Sequence, residues 1–306
     1  MTAAVSILLA TYQGERFLPE QLSTIEEQSH SAWSLHASDD GSTDRTRTIL
    51  AEFAQKSKRE VNLVEGPRKG FVRNFMHLVA TVPTDAPYFA FCDQDDKWLP
   101  EKLKRAVRWL GSQPAELPLL FCSRTRNIDL VGRPIGFSPL FQRGPSFGNA
   151  LVQSIAGGNT MVINRRMLNL IKEFGTHHEL PSHDWWFYII ATGVGGIVNY
   201  DPSPTVDYRQ HEQNQVGANS SLNARLRRFT MLKGGRFKRW TDLNTLALEE
   251  NRHLLLPQNN EILTHFQKMR TSSFPSNLRV LLNGPFRRQT FLGSIGLSAA
   301  VVWNKI

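Results

Sequence analysis

Asp93, Asp95 and Asp96 fall within four residues of one another, directly after the apolar run Tyr88-Phe89-Ala90-Phe91-Cys92 and before Trp98-Leu99-Pro100. Carboxylates this close repel and push each other's pKa up. A hard divalent cation, Mg²⁺ or Mn²⁺, relieves the repulsion and keeps positions open for water and phosphate oxygens. The competing reading is a polar turn capping the next helix, since Asp is a good N-cap residue.

Two other polar clusters follow apolar runs: Thr11-Tyr12-Gln13-Gly14-Glu15 and Asp39-Asp40-Gly41-Ser42. No G-x-G-x-x-G pattern follows the first run, and no phosphate-cradling P-loop is present, so a nucleotide would have to be held differently. Thr11, Tyr12 and Glu15 offer a hydroxyl, a ring and a carboxylate. Asp40 offers an acceptor for a base N–H, and Arg73 a cation that reaches phosphate or base. Each also has a structural reading: Thr11 and Glu15 as helix-capping groups, Asp40 as a turn residue.

The elements that would carry these groups alternate. Val5 to Thr11, Ser34 to Ser38, Val61 to Val64 and Tyr88 to Cys92 read as strands. Phe17 to Gln28, a segment from Ser42 or Thr43 to about Gln55, Phe71 to Val82 and Pro100 to Leu110 read as helices. Four such alternations predict a parallel sheet with right-handed crossovers. Ligands of such sheets bind at the carboxyl ends of the strands, where all three polar clusters fall. Beyond Leu119 the alternation stops. Leu119 to Asn127, Gly132 to Gly136, Met161 to Asn164, Gly196 to Tyr200 and Thr205 to Tyr208 read as strands, Met167 to Phe174 and Asp184 to Thr192 as helices.

Three runs in order, Val-Ser-Ile-Leu-Leu-Ala-Thr-Tyr-Gln-Gly (5–14), Ser-Asp-Asp-Gly-Ser-Thr-Asp (38–44) and Asp-Gln-Asp-Asp-Lys-Trp-Leu-Pro-Glu-Lys-Leu (93–103), resemble the family 2 glycosyltransferases. The resemblance spans about residues 4–215. It departs at Gln13, where the family usually has Asn; Gln keeps the amide. The resemblance implies an α/β fold of A type, a single nucleotide-diphospho-sugar transferase domain with a mostly parallel central sheet. Asp93-x-Asp95 would be its D-x-D motif, binding a divalent metal together with the ribose and diphosphate of the nucleotide.

His183-Asp184-Trp185-Trp186 matches the place where the family carries its general base, which makes Asp184 that base. An inverting transfer needs a carboxylate to take the acceptor's proton and a metal to neutralise the leaving diphosphate. Tyr208-Arg209-Gln210-His211-Glu212-Gln213-Asn214 resembles the segment that closes the catalytic domain in a bacterial subset of the family. It implies a diphosphate contact from Arg209 and His211, with His211 as a further metal ligand beside Asp93 and Asp95. Gly158, Asn159, His183, Trp185 and Arg209 would line the donor and acceptor pocket. The His-Asp-Trp-Trp and Tyr-Arg-Gln-His forms look most like rhamnosyltransferases of O-antigen and polysaccharide assembly, implying dTDP-L-rhamnose as donor. UDP-hexose or UDP-N-acetylhexosamine is the alternative donor, and a sugar-phosphate nucleotidyltransferase the nearest rival activity. The implied acceptor is a glycan or a lipid-diphosphate-linked saccharide.

The chain has 306 residues, 41% hydrophobic and 21% charged, an ordinary globular composition. Its net charge of +9 is uneven. Residues 220–306 hold 14 Lys and Arg against 4 Asp and Glu, while residues 1–219 hold 22 against 23. The expected division is a catalytic domain over 1–219 and a basic helical extension over 220–306. Basic and apolar residues interleave at Arg225 to Phe229, Lys233 to Trp240 and Phe286 to Leu292, as in elements that lie on anionic membranes; packing on the catalytic sheet is the other reading. Gly293 to Trp303 is too short to span a bilayer. The start of the sequence, running into the strand at Ala4, has no basic n-region and no cleavage site, so no secretory signal is expected. Cys92 and Cys122 read as buried free thiols. These features predict a cytoplasmic enzyme, docked peripherally on the inner face of the membrane, with no nucleic-acid partner.

Overall fold

The computed structural model describes residues 3–211, 235–271, 277, 281, 284–302 and 306. The four alternations form as expected: β1 (Val5–Thr11), α1 (Leu18–Glu26), β2 (Trp33–Asp39), α2 (Thr46–Lys56), β3 (Val61–Glu65), α3 (Phe71–Thr81), β4 (Tyr88–Asp93), then the two-residue β5 (Lys97–Trp98) and α4 (Lys102–Gly111). All seven residues of β1 are buried. Val5, Ile7 and Leu9 face one core and Leu8 and Ala10 the other, which is why a strand covered on both faces reads as one apolar run.

The second half supplies β6 (Leu119–Ile128), β7 (Pro134–Phe137), α5 (Phe147–Ala150), a 3₁₀ turn at Gly158–Thr160, β8 (Val162–Asn164), α6 (Arg165–Glu173), α7 (His183–Gly193) and β9 (Ile197–Arg209). The sheet runs β3-β2-β1-β4-β8-β6-β9-β5, with β7 on β6. β3, β2, β1 and β4 are parallel neighbours, as β6 and β9 are, while β8 runs antiparallel to both its neighbours. This is an α/β fold with a mixed, mostly parallel sheet.

Three details differ from expectation. α2 starts at Thr46, not at Ser42 or Thr43. The chain first makes two side-chain-stabilised turns: Ser42 donates its N–H and hydroxyl to Asp39 (2.9 and 2.5 Å), and Thr46 donates its own pair to Asp44 (3.0 and 2.5 Å). The two short strands expected at 196–200 and 205–208 are one strand, β9, with an irregularity opposite Ser123 and Thr125. It accommodates Pro202 and Pro204, which cannot donate to a ladder, and Arg105 clamps it through Asp201 and the carbonyl of Pro204. The short α5 was missed; Ser146 caps it through the N–H of Asn149.

Helices α1, α2 and α4 cover one face of the sheet, and α3, α6 and α7 the other. The extension's helices, α8 (Arg236–Glu250), α9 (Pro257–Thr271) and α10 (Phe291–Val302), join the second core through Ala247, Leu248, Leu263, Phe266, Leu297 and Val301. Among the described residues no helix is long and apolar enough to cross a membrane. Both cysteines are free and buried. The segments Arg225 to Phe229 and Glu212 to Gly217 lie outside the described residues.

Candidate active site

Register brings the strand ends together. Thr11 lies beside Asp39, Ala10 beside Asp93, and Asp39 beside Glu65. Gln94, the spacer of the acidic triplet, ties two of these ends: it accepts the Tyr12 N–H and donates to the Tyr12 carbonyl, both at 2.8 Å. This leaves the Tyr12 side chain 56% exposed over the cleft, with its backbone fixed.

The three acids have separate surroundings. Asp96 is fully buried; it accepts from Asn159 Nδ2 at 2.5 Å and from the Arg209 N–H at 3.1 Å. Burial, then the charges of Asp95 and Asp93, push its carboxyl well above the usual range. Asp95 meets His211 Nε2 at 2.7 Å. Burial, then the neighbouring charges of Asp95 and Asp184, raise Asp93 to about 7. Burial and mutual repulsion thus outweigh the nearby Lys102 charge at Asp93, the condition a divalent cation relieves.

Asp184 arrives from the other half of the chain, in the first turn of α7. An acidic side chain is favourably placed at a helix start. One carboxylate oxygen accepts the Gly158 N–H at 3.2 Å and the other the Trp185 N–H at 2.8 Å. Gly158 has to be glycine for this approach: a Cβ there would lie 2.7 Å from His183 Nε2 and 3.3 Å from the Asp184 Cβ. His183 stacks on Phe75 with ring centroids 4.0 Å apart, and neither ring nitrogen has a partner among the described residues. Burial lowers it to about 4, so it stays neutral. One phenol reports on the whole arrangement. Tyr208 is pushed up by burial and then by Asp96, Asp93, Asp95 and Asp184, and adjacent residues of the 3₁₀ turn tie the two halves of the site, Gly158 through its N–H to Asp184 and Asn159 through Nδ2 to Asp96.

Several expected contacts are employed otherwise. Arg209, expected against the diphosphate, is 2% exposed. Its guanidinium donates to the carbonyls of Asp95 (3.0 Å), Asp129 (3.3 Å) and Leu130 (3.0 Å) and to Glu20, and lies over the Phe17 ring. It binds the site's walls together from beneath. Trp185, expected in the pocket, donates its indole N–H to Ala150 at 2.6 Å and stacks on Phe237. Arg73 donates to the carbonyl of Thr176 at 3.3 Å. Asp40 receives three backbone N–H groups, from Arg68, Lys69 and Gly70 (2.6, 3.3 and 2.7 Å), and so shapes the β3–α3 loop. Thr11, expected as a helix cap, instead ends β1 and donates to Asp39 at the end of β2 (3.1 Å), whereas Glu15 accepts the N–H of Arg45 at the start of α2 (3.0 Å), as the capping reading has it.

Sequence reasoning missed Lys102. It is fully buried over the Trp98 ring and donates to the Asn159 carbonyl. Burial brings its ammonium down to about 7, against the pull of Asp96 and Asp93. The signal was available, because Lys102 shares the buried face of α4 with Leu103, Ala106 and Leu110.

Residues 6–165 match the profile of the family described as Glycosyl transferase family 2. The dTDP-rhamnosyl transferase RfbG of Shigella flexneri is 32% identical over 235 residues, 74% of this chain and 79% of that protein. The UDP-Glc:alpha-D-GlcNAc-diphosphoundecaprenol beta-1,3-glucosyltransferase WfgD of Escherichia coli is 23% identical, over 64% of this chain and 73% of that protein. Among solved structures, S. aureus TarS 1–349 in complex with UDP-GlcNAc shares the fold with a TM-score of 0.57 at 14% identity, over 97% of this chain and 81% of that one.

Proposed function

The chain belongs to glycosyl transferase family 2, and on that premise we propose an inverting, metal-dependent sugar transfer at the acidic cluster, with Asp184 as general base. The observation that carries this reading is the tie between the base and the acidic triplet: consecutive residues Gly158 and Asn159 bond Asp184 and Asp96. The acceptor hydroxyl must lose its proton as its oxygen attacks the anomeric carbon, and a carboxylate suits that task at neutral pH. The Gly158 and Trp185 N–H groups hold both Asp184 oxygens and so fix their direction.

Asp93, Asp95 and His211 would hold Mg²⁺ or Mn²⁺. Two carboxylates and an imidazole suit such an ion, and the raised Asp93 marks burial and repulsion that the nearby Lys102 does not offset. When bound, the ion neutralises the departing nucleoside diphosphate. The exposed Tyr12 ring offers a face for the base. Thr11, Glu15 and Asp40 act through the loops they hold, and Gly158, Asn159 and His183 wall the sugar and acceptor side. Arg73, Trp185 and Arg209 belong to the scaffold.

Likeness to the rhamnosyl transferase supports dTDP-L-rhamnose as donor; likeness to WfgD supports a second reading, UDP-glucose. The same names support a glycan or lipid-diphosphate-linked saccharide as acceptor in surface polysaccharide assembly. α10 exposes Phe291, Leu292 and Ile295 beside the exposed Arg287, which supports docking on an anionic cytoplasmic membrane surface. Mn²⁺-dependent thermal stabilisation by a panel of nucleotide-sugars tests the donor. The largest shift is expected with dTDP-L-rhamnose. A larger shift with UDP-glucose selects the second reading, and no metal-dependent shift with any nucleotide counts against the site itself.

A further inference from the structure

Away from the strand ends, His177 and His178 follow α6 and meet Glu250, the last residue of α8. Among the described residues this is the one trio of metal-capable side chains whose ligand atoms all lie within 4.8 Å of one another. His178 Nδ1 is 3.6 Å and His177 Nε2 4.0 Å from the same Glu250 oxygen. Ligands bound at about 2.0–2.2 Å stand about 3.3–3.6 Å apart at tetrahedral angles. The small remaining difference falls on His177 and Glu250, whose side chains are 77% and 52% exposed.

The buried member is already oriented. His178 Nε2 lies 2.6 Å from the Phe174 carbonyl, which can only accept. Asn251 Nδ2 lies near the same nitrogen, but its two hydrogens go to the carbonyls of Phe174 and Ala247 (2.9 and 3.0 Å). Nε2 therefore carries the proton, and Nδ1 turns a lone pair toward the Glu250 carboxylate. Two acceptors face each other there, and a cation between them satisfies both. A carbonyl holding the far nitrogen of an imidazole is the usual support behind a ligating histidine. Gly175, at φ +93°, closes the turn tightly enough that a Cβ would lie 2.8 Å from His177 Cε1 and 3.1 Å from His178 Nε2.

We infer that His177, His178 and Glu250 form a binding site for a borderline transition-metal ion of the Zn²⁺ class, which clips α8 to the loop leading into α7. Two imidazoles and one carboxylate favour such an ion over Mg²⁺. The loop continues through Pro181 and Ser182 to Asp184, so the clip joins the C-terminal extension to the element that bears the base.

The test is a calorimetric Zn²⁺ titration of tag-free, metal-stripped, full-length protein in excess Mg²⁺. One Zn²⁺ is expected to bind and to raise Tm. His177→Ala and Glu250→Gln, both at exposed side chains, should each weaken binding at least about tenfold and cancel the rise in Tm. Absence of Zn²⁺ binding by the parent, parental affinity in both variants, or loss of binding in Asp95→Ala instead, would each overturn the inference.

Discussion

Asp93 and Asp96, three positions apart, carry chemically identical side chains with different employment. Asp96 is walled in by Asn159 and Arg209, whereas Asp93 is raised to about 7 by burial and then by the charges of Asp95 and Asp184. The sequence made the triplet legible as a charged cluster, but not this division, because it depends on residues more than sixty positions away. Asp93 also gives a pH signature. Its folded pKa, about 7, lies above that of an ordinary carboxyl, so its contribution to stability is full below about pH 4 and is lost as pH rises through 7. Metal-free parent should therefore lose Tm relative to metal-free Asp93→Asn between pH 5 and 8. Mn²⁺ should restore more at pH 8 than at pH 5, and Asp93→Asn should raise the metal-free Tm at pH 8 by roughly 2–4 °C. Differential scanning fluorimetry of both proteins across that range checks the sign; a Tm gap between Asp93→Asn and the parent that shrinks toward pH 8 would refute it.

The elements bring these residues together through a few cross-ties. Periodicity located the first four strands and helices because burial on both faces leaves an unbroken apolar run, and β1 is the clearest case. It failed where side chains replace backbone partners. Asp39 and Asp44 delay α2, and a proline-bearing irregularity hides the continuity of β9. Arg209 was misread for the same reason. Its neighbours in sequence resemble a phosphate-binding run, yet its partners come from α1, the β4–β5 turn and the β6–β7 turn. Arg209→Lys should cost about 3 kcal/mol of stability, since an ammonium cannot serve so many buried acceptors. Chemical denaturation measures this. Unchanged stability with weakened nucleotide binding would return Arg209 to the donor pocket.

Across the whole molecule, composition marks off the basic C-terminal part from the rest. The described helices of that part nevertheless share a core with α3, α5, α6 and α7. Leu255 and Phe147 pack against Gly193 at the end of α7, where a Cβ would lie 2.8 Å from Leu255 Cδ2. Charge counts report on surface, not on what an amphipathic helix buries, so the sequence left this packing and membrane docking as two open readings. Truncation after residue 219 is expected to expose that core and give insoluble protein, by soluble yield and circular dichroism; a soluble, cooperatively folding 1–219 fragment would show the extension to be separable. The central claim, that the acids at the strand ends and at the start of α7 divide into a metal-binding pair and a base, is tested most directly by the rate of sugar transfer in Asp184→Asn at saturating donor and Mn²⁺. The predicted result is a kcat at least about 100-fold below the parent's with donor affinity unchanged. Parental turnover by Asp184→Asn would contradict it.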